Sequence, residues 1–266
     1  MAINDNYHIL FQKLRELGEY ASKMQKNVKR TFKEDGSVLT LVDLYVSHQV
    51  IECVKSLFPD ANIISEEEMT DFDRNAELTF VLDPIDGTDM YSQGLASWAI
   101  SLGILNKERE SVGAFIIAPR YGIGEEKMEL SLIPGDRLYI NGAEVFKKKK
   151  NENLSQIMFT SHDIRKYDFS SFDGKIRTIG SSILHNLFPA ILKEIAASVT
   201  QACYCWDIAS SHAVLNYFGY SLVYYDKSRV EYTDEFLIGR KKAKMPFIAA
   251  EESMLDEVIR QIKYLG

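Results

Sequence analysis

The apolar positions at the start of the chain repeat at helical spacing. Over Ile3–Val28 an apolar side chain recurs every three or four residues, which predicts an amphipathic helix. A polar loop follows, with Gly36 as its turn residue. A second apolar face predicts a helix over Thr40–Phe58, and Pro59 ends it. The chain therefore begins with two predicted helices.

The pattern then changes to short apolar runs, which predict buried strands. Asn62–Ser65 and Thr79–Leu82 are the first two runs, and each is followed at once by carboxylate side chains. The next predicted strands are Trp98–Leu105, Val112–Ile117, Met128–Ile133 and Arg137–Ile140. The last two of these flank a Pro-Gly-Asp turn and are predicted to pair as a hairpin.

The lysine run Lys147–Lys150 predicts a solvated break, and we expect a domain boundary near residues 140–152. Beyond it, strands and helices alternate. The predicted strands are Gln156–Thr160, Lys175–Ile179, Val199–Cys205, Leu222–Tyr225 and Pro246–Ala250. The predicted helices are Ser182–Ala197, Asp207–Phe218 and Glu251–Tyr264. Because both sides of the break mix the two kinds of element, we expect layered α and β structure.

Charge and cysteine content narrow the class of protein. The 266 residues carry a net charge of −7, which argues against nucleic acid or an anionic membrane as a partner. The three cysteines include no C-x-x-C pair, which fits a reducing compartment. The N-terminus lacks the pattern of a signal peptide, and no apolar run is long enough to cross a bilayer. We therefore expect a cytoplasmic protein.

One segment combines groups that could bind a metal ion or phosphate. The apolar strand that ends at Leu82 is followed by a turn that carries two carboxylates, Asp83 and Asp86. Hard divalent cations prefer such oxygen ligands. Gly87 permits a close backbone approach, and the N–H groups after Asp86 could hold a phosphate. A surface turn with solvated acids is the alternative that the segment alone leaves open.

Other polar clusters are ambiguous when each is taken alone. The acids Glu66–Glu68 are typical of a solvated loop, and Thr40 with Asp43 is typical of a helix capping box. Asp207, which follows Trp206, is typical of a helix N-cap. A haloacid-dehalogenase-type phosphatase needs D-x-D-x-T, and that spacing fails because Ile85 stands two residues after Asp83.

Four motifs in order resemble those of the inositol monophosphatase family. D-P-x-D-G-T is complete at Asp83–Thr88, and the family's glutamate pair after a strand is matched at Ile64–Glu67. K-x-D-G-S-x-x-T-x-x-D is matched over Lys33–Asp43, and W-D before a helix is Trp206–Asp207. The resemblance covers nearly the whole chain, and four motifs together are far more specific than any one of them.

This resemblance implies a layered αβαβα sandwich of the sugar-phosphatase type. Residues 1–145 would form an N-terminal α+β half that binds metal and phosphate, and residues 146–266 a C-terminal α/β half that completes the substrate pocket. It also implies a lithium-sensitive, Mg²⁺-dependent phosphomonoesterase with two or three Mg²⁺ ions. The family usually forms homodimers, and its substrates are small phosphate esters.

The resemblance also implies roles for individual residues. Glu66, Thr88 and Asp43 would be catalytic, because they would orient and deprotonate the attacking water. The metal ligands would be Glu66, Glu67, Asp83, the Ile85 carbonyl, Asp86 and Asp207. The substrate contacts would be Asp86, Gly87, Thr88, Gly180, Ser181, Ser182, Thr200 and Asp207.

The substrate is the least determined part of this assignment. Inositol-specific relatives carry an acid seven residues before the W-D aspartate, and this chain has Thr200 there. Inositol monophosphate therefore remains beside fructose 1,6-bisphosphate and 3′-phosphoadenosine 5′-phosphate as a candidate. A catalytically silent relative that binds metal or phosphate as a regulatory subunit is the candidate from another class.

Overall fold

The computed structural model describes residues 3–121, 126–147, 153–160 and 164–266. Its helices are α1 (Ile3–Met24), α2 (Leu41–Leu57), α3 (Thr88–Ser92), α4 (Ser182–Ile191), α5 (Ala209–Phe218), α6 (Asp234–Leu237) and α7 (Leu255–Gln261). Short 3₁₀ turns lie at Gln25–Asn27, Ile164–Lys166, Cys205–Asp207 and Glu252–Met254. None of the helices in these ranges is long and apolar enough to span a membrane.

The larger sheet has seven strands in the order of the sequence. They are β3 (Asn62–Ser65), β4 (Leu78–Asp86), β5 (Ala99–Asn106), β6 (Ser111–Tyr121), β7 (Glu126–Leu132), β8 (Leu138–Ile140) and β9 (Ala143–Glu144). A small hairpin, β1 (Thr31–Phe32) with β2 (Val38–Leu39), precedes the sheet. Strands β3 and β4 are parallel, and the later neighbours are antiparallel.

The second sheet has five strands in the order β12-β10-β13-β15-β14. They are β10 (Gln156–Phe159), β12 (Lys175–Arg177), β13 (Ala197–Thr200), β14 (Ser221–Tyr224) and β15 (Phe247–Ala250). Strand β10 pairs in parallel with β12 and β13, whereas β15 is antiparallel to both of its neighbours. A separate pair joins β11 (Tyr167–Asp168) to β16 (Lys263–Tyr264).

Five layers result from the burial of apolar faces. Helices α1 and α2 cover one face of the seven-stranded sheet, where Leu14 and Val50 are fully buried with Phe115. Helices α4 and α5 lie between the two sheets in one apolar cluster that draws residues from both ends of the chain. Helix α7 buries Val258 against the outer face of the second sheet. This confirms the predicted αβαβα sandwich.

Helix α5 packs directly on the larger sheet because Gly103 of β5 has no side chain. A Cβ atom there would lie 2.6 Å from the Cβ of Ala209, at the start of α5. The hydroxyls of Ser101 and Ser210 hydrogen-bond across the same contact at 2.6 Å. The close approach fixes where Asp207, two residues before Ala209, meets the larger sheet.

The sequence placed some element ends wrongly. The helix predicted over Ser182–Ala197 ends at Ile191, and the strand predicted at Val199–Cys205 is instead Ala197–Thr200. Apolar runs of this length do not distinguish a buried helix from a buried strand, and pairing of β13 with β10 and β15 decides the question. The final predicted helix is likewise shorter, because Lys263–Tyr264 pairs as β16. Most of Lys147–Lys150 lies outside the described residues, and the division at residue 145 stays a prediction.

Candidate active site

The centre of the site is a cluster of three carboxylates, Asp83, Asp86 and Asp207. One oxygen of each lies within 4.8 Å of the others. Asp83 and Asp86 end β4, and Asp207 comes from the 3₁₀ turn before α5. Two residues three apart on a regular strand face opposite sides, but β4 carries one extra residue relative to β5 between these two aspartates. This bulge lets both carboxylates face Asp207.

Asp86 caps the N-terminus of α4. Its carboxylate accepts hydrogen bonds from the backbone N–H of Ser182 at 3.0 Å, from that of Ile183 at 2.8 Å, and from the hydroxyl of Ser181. Burial raises the pKa of Asp86 to about 6, although these hydrogen bonds favour the charged form and oppose the shift. The predicted substrate residues Ser181 and Ser182 are thus brought to the site, where both contact Asp86.

The charged forms of the other two aspartates are disfavoured. Burial, and then the charges of Glu66, Asp86 and Asp207, raise the pKa of Asp83 well above its usual range. Burial and the neighbouring carboxylates also raise the pKa of Asp207, which accepts a 2.7 Å hydrogen bond from the N–H of Tyr204. Within the described ranges, none of the three aspartates forms an ion pair.

This donor set fits a divalent cation. Buried carboxylates that repel one another are stabilised when a cation binds between them, and oxygen donors are what Mg²⁺ takes. The carbonyl of Ile85, a predicted ligand, lies in the same bulge and accepts a 2.8 Å hydrogen bond from the Thr88 hydroxyl. The three aspartates are therefore the residues that could hold a metal ion, with the Ile85 carbonyl beside them.

Glu66 and Glu67 follow β3 and are bound by a lysine from the β1–β2 hairpin. The ammonium of Lys33 lies 2.7 Å from Glu66 Oε1 and 2.6 Å from Glu67 Oε1. Burial, together with the charge of Glu66, raises the pKa of Glu67 to about 7. Burial alone would lower the pKa of Lys33, but the two carboxylates outweigh it and raise that pKa. The sequence motif contained Lys33, but gave it no role.

Asp43 and Thr88 meet at the same site from two helices. Asp43 is fully buried in the first turn of α2, where its Oδ2 accepts hydrogen bonds from the N–H and hydroxyl of Thr40 at 3.0 and 2.5 Å. Its Oδ1 lies 3.0 Å from the Thr88 hydroxyl. Burial raises the pKa of Asp43 to about 6, against these hydrogen bonds. The Thr40–Asp43 capping box is thus present, and the same carboxylate also contacts Thr88.

Gly87 and Gly180 let two backbone segments approach beside the aspartates. Gly87 precedes α3 with a φ of +91°, and a Cβ atom there would lie 3.2 Å from the carbonyl oxygen of Gly180. A Cβ at Gly180 would lie only 1.9 Å from Cγ of Met90. Both predicted substrate residues therefore pack against each other at the site.

An open cleft of about 320 Å³ leads to these groups. It is lined by Lys33, Asp35, Ser37, Glu66, Ser182, Gln201, Ala202, Cys203, Tyr204, Trp206, Asp207, Arg240 and Lys242. Thr200 is not among these residues. It is fully buried, and its hydroxyl donates to Asn186 Oδ1 at 2.6 Å, so the structure does not bring this predicted substrate residue to the cleft.

Three residues at the mouth of the cleft were missed by sequence reasoning. Arg240 donates to the backbone carbonyls of Glu66 and Glu68, so it joins a loop of the second half to the glutamate segment. Tyr204 and Lys242 also line the cleft, and the ammonium of Lys242 contacts the Tyr204 ring. No motif marks these positions, since Arg240 and Lys242 belong to an irregular segment far along the chain.

Comparison with known proteins identifies the family. The sequence model of the inositol monophosphatase family matches residues 7–259. The chain belongs to the inositol monophosphatase family. The resemblance carried by the four motifs is thereby confirmed.

Two curated relatives illustrate the similarity. The fructose-1,6-bisphosphatase/inositol-1-monophosphatase of Thermotoga maritima is 24% identical over 201 residues, which cover 74% of this chain and 76% of that protein. The Nus factor SuhB of Pasteurella multocida is 27% identical over 114 residues. The latter match spans 42% of this chain and 43% of that relative's length.

Solved structures of the inositol monophosphatase family share the fold. A Staphylococcal inositol monophosphatase has a TM-score of 0.81 at 15% identity, and the match covers 98% of this chain and 95% of that chain. An IMPase/NADP phosphatase complexed with Mg²⁺ and phosphate has a TM-score of 0.80 at 16% identity, with the same coverage. At these identities the likeness establishes the fold.

Proposed function

We propose that this chain is a Mg²⁺-dependent phosphomonoesterase that hydrolyses a small sugar or polyol phosphate by direct attack of water. The cluster of Asp83 and Asp86, which are buried, and Asp207, which is half-buried, carries the proposal, because mutually repelling carboxylates at the end of a cleft are costly unless they bind a cation. A relative whose structure contains Mg²⁺ and phosphate supports the choice of ion.

Asp83, Asp86, Asp207 and Glu66 would hold the ions, with the Ile85 carbonyl and Glu67 beside them. Bound Mg²⁺ would neutralise the charge of the phosphate, lower the pKa of a bound water and stabilise the leaving alkoxide. We propose two or three ions. To hold a metal ion, Glu66 and Glu67 would have to release the ammonium of Lys33, which lies 2.7 Å from Glu66 and 2.6 Å from Glu67.

Thr88 and Asp43 would orient the attacking water. The single hydroxyl proton of Thr88 can be donated to Asp43 or to the Ile85 carbonyl, and when it is donated to Asp43 the lone pairs of the oxygen can accept a hydrogen bond from water. Glu66 would accept the proton that the water loses. The N–H groups of Gly87 and Thr88 would bind phosphate oxygens. The positive φ of Gly87 produces a backbone turn of the kind that can direct successive N–H groups towards an anion, and glycine adopts such a φ readily.

The size and lining of the cleft favour a sugar-sized ester. Ligand pockets usually run from about 300 to 1,000 Å³, and this cleft of about 320 Å³ is at the small end. Ser37, Ser182 and Gln201 offer it neutral hydrogen-bonding groups, which suit sugar hydroxyls. Inositol 1-phosphate and fructose 1,6-bisphosphate are therefore the first candidates, and a nucleotide bisphosphate is the alternative. A homodimer, lithium sensitivity and a cytoplasmic location stay predictions.

The test is phosphate release from these esters by the wild type and by D83N, with Mg²⁺ and with EDTA. Asp60→Asn is the matched control, because Asp60 is exposed and does not line the cleft. We expect Mg²⁺-dependent release by the wild type and by D60N, and a loss of about a thousandfold or more in D83N.

Release that persists in EDTA, or in D83N, would contradict the mechanism. If no ester is hydrolysed, calorimetry with MgCl₂ shows whether the protein still binds Mg²⁺. Magnesium binding without hydrolysis of any ester would favour the catalytically silent relative.

A further inference from the structure

Four side chains form a row along the mouth of the cleft. The ammonium of Lys242 lies 5.2 Å from the centroid of the Tyr204 ring. Tyr204 stacks on Trp206, with ring centroids 4.7 Å apart and an interplanar angle of 16°. The guanidinium of Arg240 lies 5.0 Å from the Trp206 ring. Because Asp207 follows Trp206 directly, Trp206 ties this row to the carboxylate cluster.

The cations that line the cleft differ in what they contact. Lys33 is bound to Glu66 and Glu67, and Arg240 donates to backbone carbonyls of the glutamate segment. Lys242 is exposed and, among the described residues, has neither a hydrogen bond nor an ion pair. Its ammonium contacts the Tyr204 ring, and its charge also acts on the carboxylates of Asp35 and Asp207. Its ammonium therefore keeps three donors for a ligand in the cleft.

We propose that Lys242 binds a second phosphate group of the substrate, remote from the phosphate that is hydrolysed. This inference rests on the proposed function and names its substrate class as a sugar or polyol bisphosphate. The scissile phosphate would be held by the carboxylate cluster, whereas the ammonium of Lys242 contacts the Tyr204 ring at the mouth of the same cleft. The charge of Lys242 also acts on Asp207, so the two phosphate groups would lie within one cleft. Lysine is a point charge that suits a phosphate dianion, and the Tyr204 ring holds the ammonium over the cleft.

The same row disfavours a nucleotide as substrate. A nucleobase binds by stacking on an open aromatic face. Tyr204 is stacked on Trp206 and carries the ammonium of Lys242 over its ring, so a base would have to displace that ammonium. Phe32 and the other exposed aromatic side chains do not line this cleft. A second phosphate needs no such displacement.

The experiment compares paired substrates in the full-length protein with Mg²⁺. Fructose 1,6-bisphosphate is paired with fructose 1-phosphate, and inositol 1,4-bisphosphate with inositol 1-phosphate. The variants are Lys242→Gln and Lys242→Arg, with Lys244→Gln as the control. Lys244 is an exposed lysine of the same segment that does not line the cleft. K244Q therefore makes the same change in net charge as K242Q without a change in the cleft.

The expected result is a selective loss. In K242Q the ratio of kcat/KM for bisphosphate to kcat/KM for monophosphate falls about tenfold, mainly through KM, because a remote group contributes binding shared by ground and transition states. K242R keeps most of the ratio, and K244Q keeps all of it.

An unchanged ratio in K242Q, or an equal fall in K242Q and K244Q, overturns the inference. If the wild type releases no phosphate in the presence of Mg²⁺, the proposed function is overturned instead. In that event calorimetric binding of fructose 1,6-bisphosphate still tests Lys242, since K242Q is expected to bind it about tenfold more weakly than K244Q does. Equal binding by the two variants would reject the subsite.

Discussion

The hydroxyl of Thr88 lies 3.0 Å from Oδ1 of Asp43, and this contact joins the first turns of two helices that are 45 residues apart in sequence. The second oxygen of Asp43 is occupied by the N–H and hydroxyl of Thr40. One buried carboxylate therefore both caps α2 and fixes the direction in which the Thr88 hydroxyl points.

Substitutions at Thr40 and Thr88 should separate the helix-capping role of Asp43 from its role in orienting the Thr88 hydroxyl. Thr88→Val removes the hydroxyl that contacts both Asp43 and the Ile85 carbonyl, and we expect kcat to fall about a hundredfold. Thr40→Val removes the cap and should cost about 1 kcal/mol of unfolding free energy. Steady-state kinetics and urea unfolding of both variants, with Thr88→Ser as the conservative control, measure the two effects. Equal losses of kcat in T88V and T88S would contradict the role given to this hydroxyl.

The aspartate cluster should destabilise the metal-free protein. The pKa of Asp83 is raised well above its usual range, so this carboxyl group destabilises the folded protein at every pH above the ordinary aspartate value of about 3.9. D83N is therefore expected to raise the free energy of unfolding in EDTA by about 1–3 kcal/mol while it abolishes activity.

Magnesium should reverse this order of stability. A ligand that binds only the folded state stabilises it in proportion to the logarithm of its concentration over Kd. Added Mg²⁺ should therefore raise the melting temperature of the wild type more than that of D83N. Identical shifts in the two proteins would mean that Asp83 does not hold the ion.

Gly180 and Met90 should be coupled in stability. A Cβ at position 180 would lie 1.9 Å from Cγ of Met90 but 3.0 Å from its Cβ. Gly180→Ala alone should cost about 1–3 kcal/mol, and Met90→Ala should relieve most of that cost. A double-mutant cycle from urea unfolding gives the coupling energy. Additive losses would contradict the close contact.

His185 should make stability depend on pH. It is buried in α4, its Nε2 accepts a 2.8 Å hydrogen bond from the N–H of Ile179, and burial lowers its pKa to about 4. Between this pKa and the ordinary value of about 6.5, the unfolded chain binds a proton that the folded protein does not. The stability contribution is therefore present above pH 6.5 and is lost as the pH falls towards 4.

His185→Gln keeps an acceptor for Ile179 but does not titrate in this range. The difference in unfolding free energy between wild type and H185Q should fall by up to about 1.4 kcal/mol per pH unit below pH 6.5. The aspartate cluster is common to both proteins, so this difference isolates the histidine. A difference that is constant from pH 7.5 to pH 5 would refute the assignment.

The sequence by itself determined the elements whose pattern is local. The apolar spacing predicted α1 and α2, and the alternation beyond Lys147–Lys150 predicted a second layered half. Four motifs in order identified the family, because each has a fixed internal spacing that needs no knowledge of the fold. They also named Asp43, Glu66, Asp83, Asp86, Thr88 and Asp207, all of which the structure brings to one site.

Only the tertiary structure decided which distant groups meet. The pairing of β13 with β10 and β15 made Ala197–Thr200 a strand and directed the Thr200 hydroxyl towards Asn186. The packing of α5 on Gly103 fixed Asp207 beside β4, and the irregular segment at Arg240 and Lys242 reached the cleft. Periodicity reports whether a residue is buried, whereas its partners depend on how whole layers pack, and no local pattern in the chain encodes that.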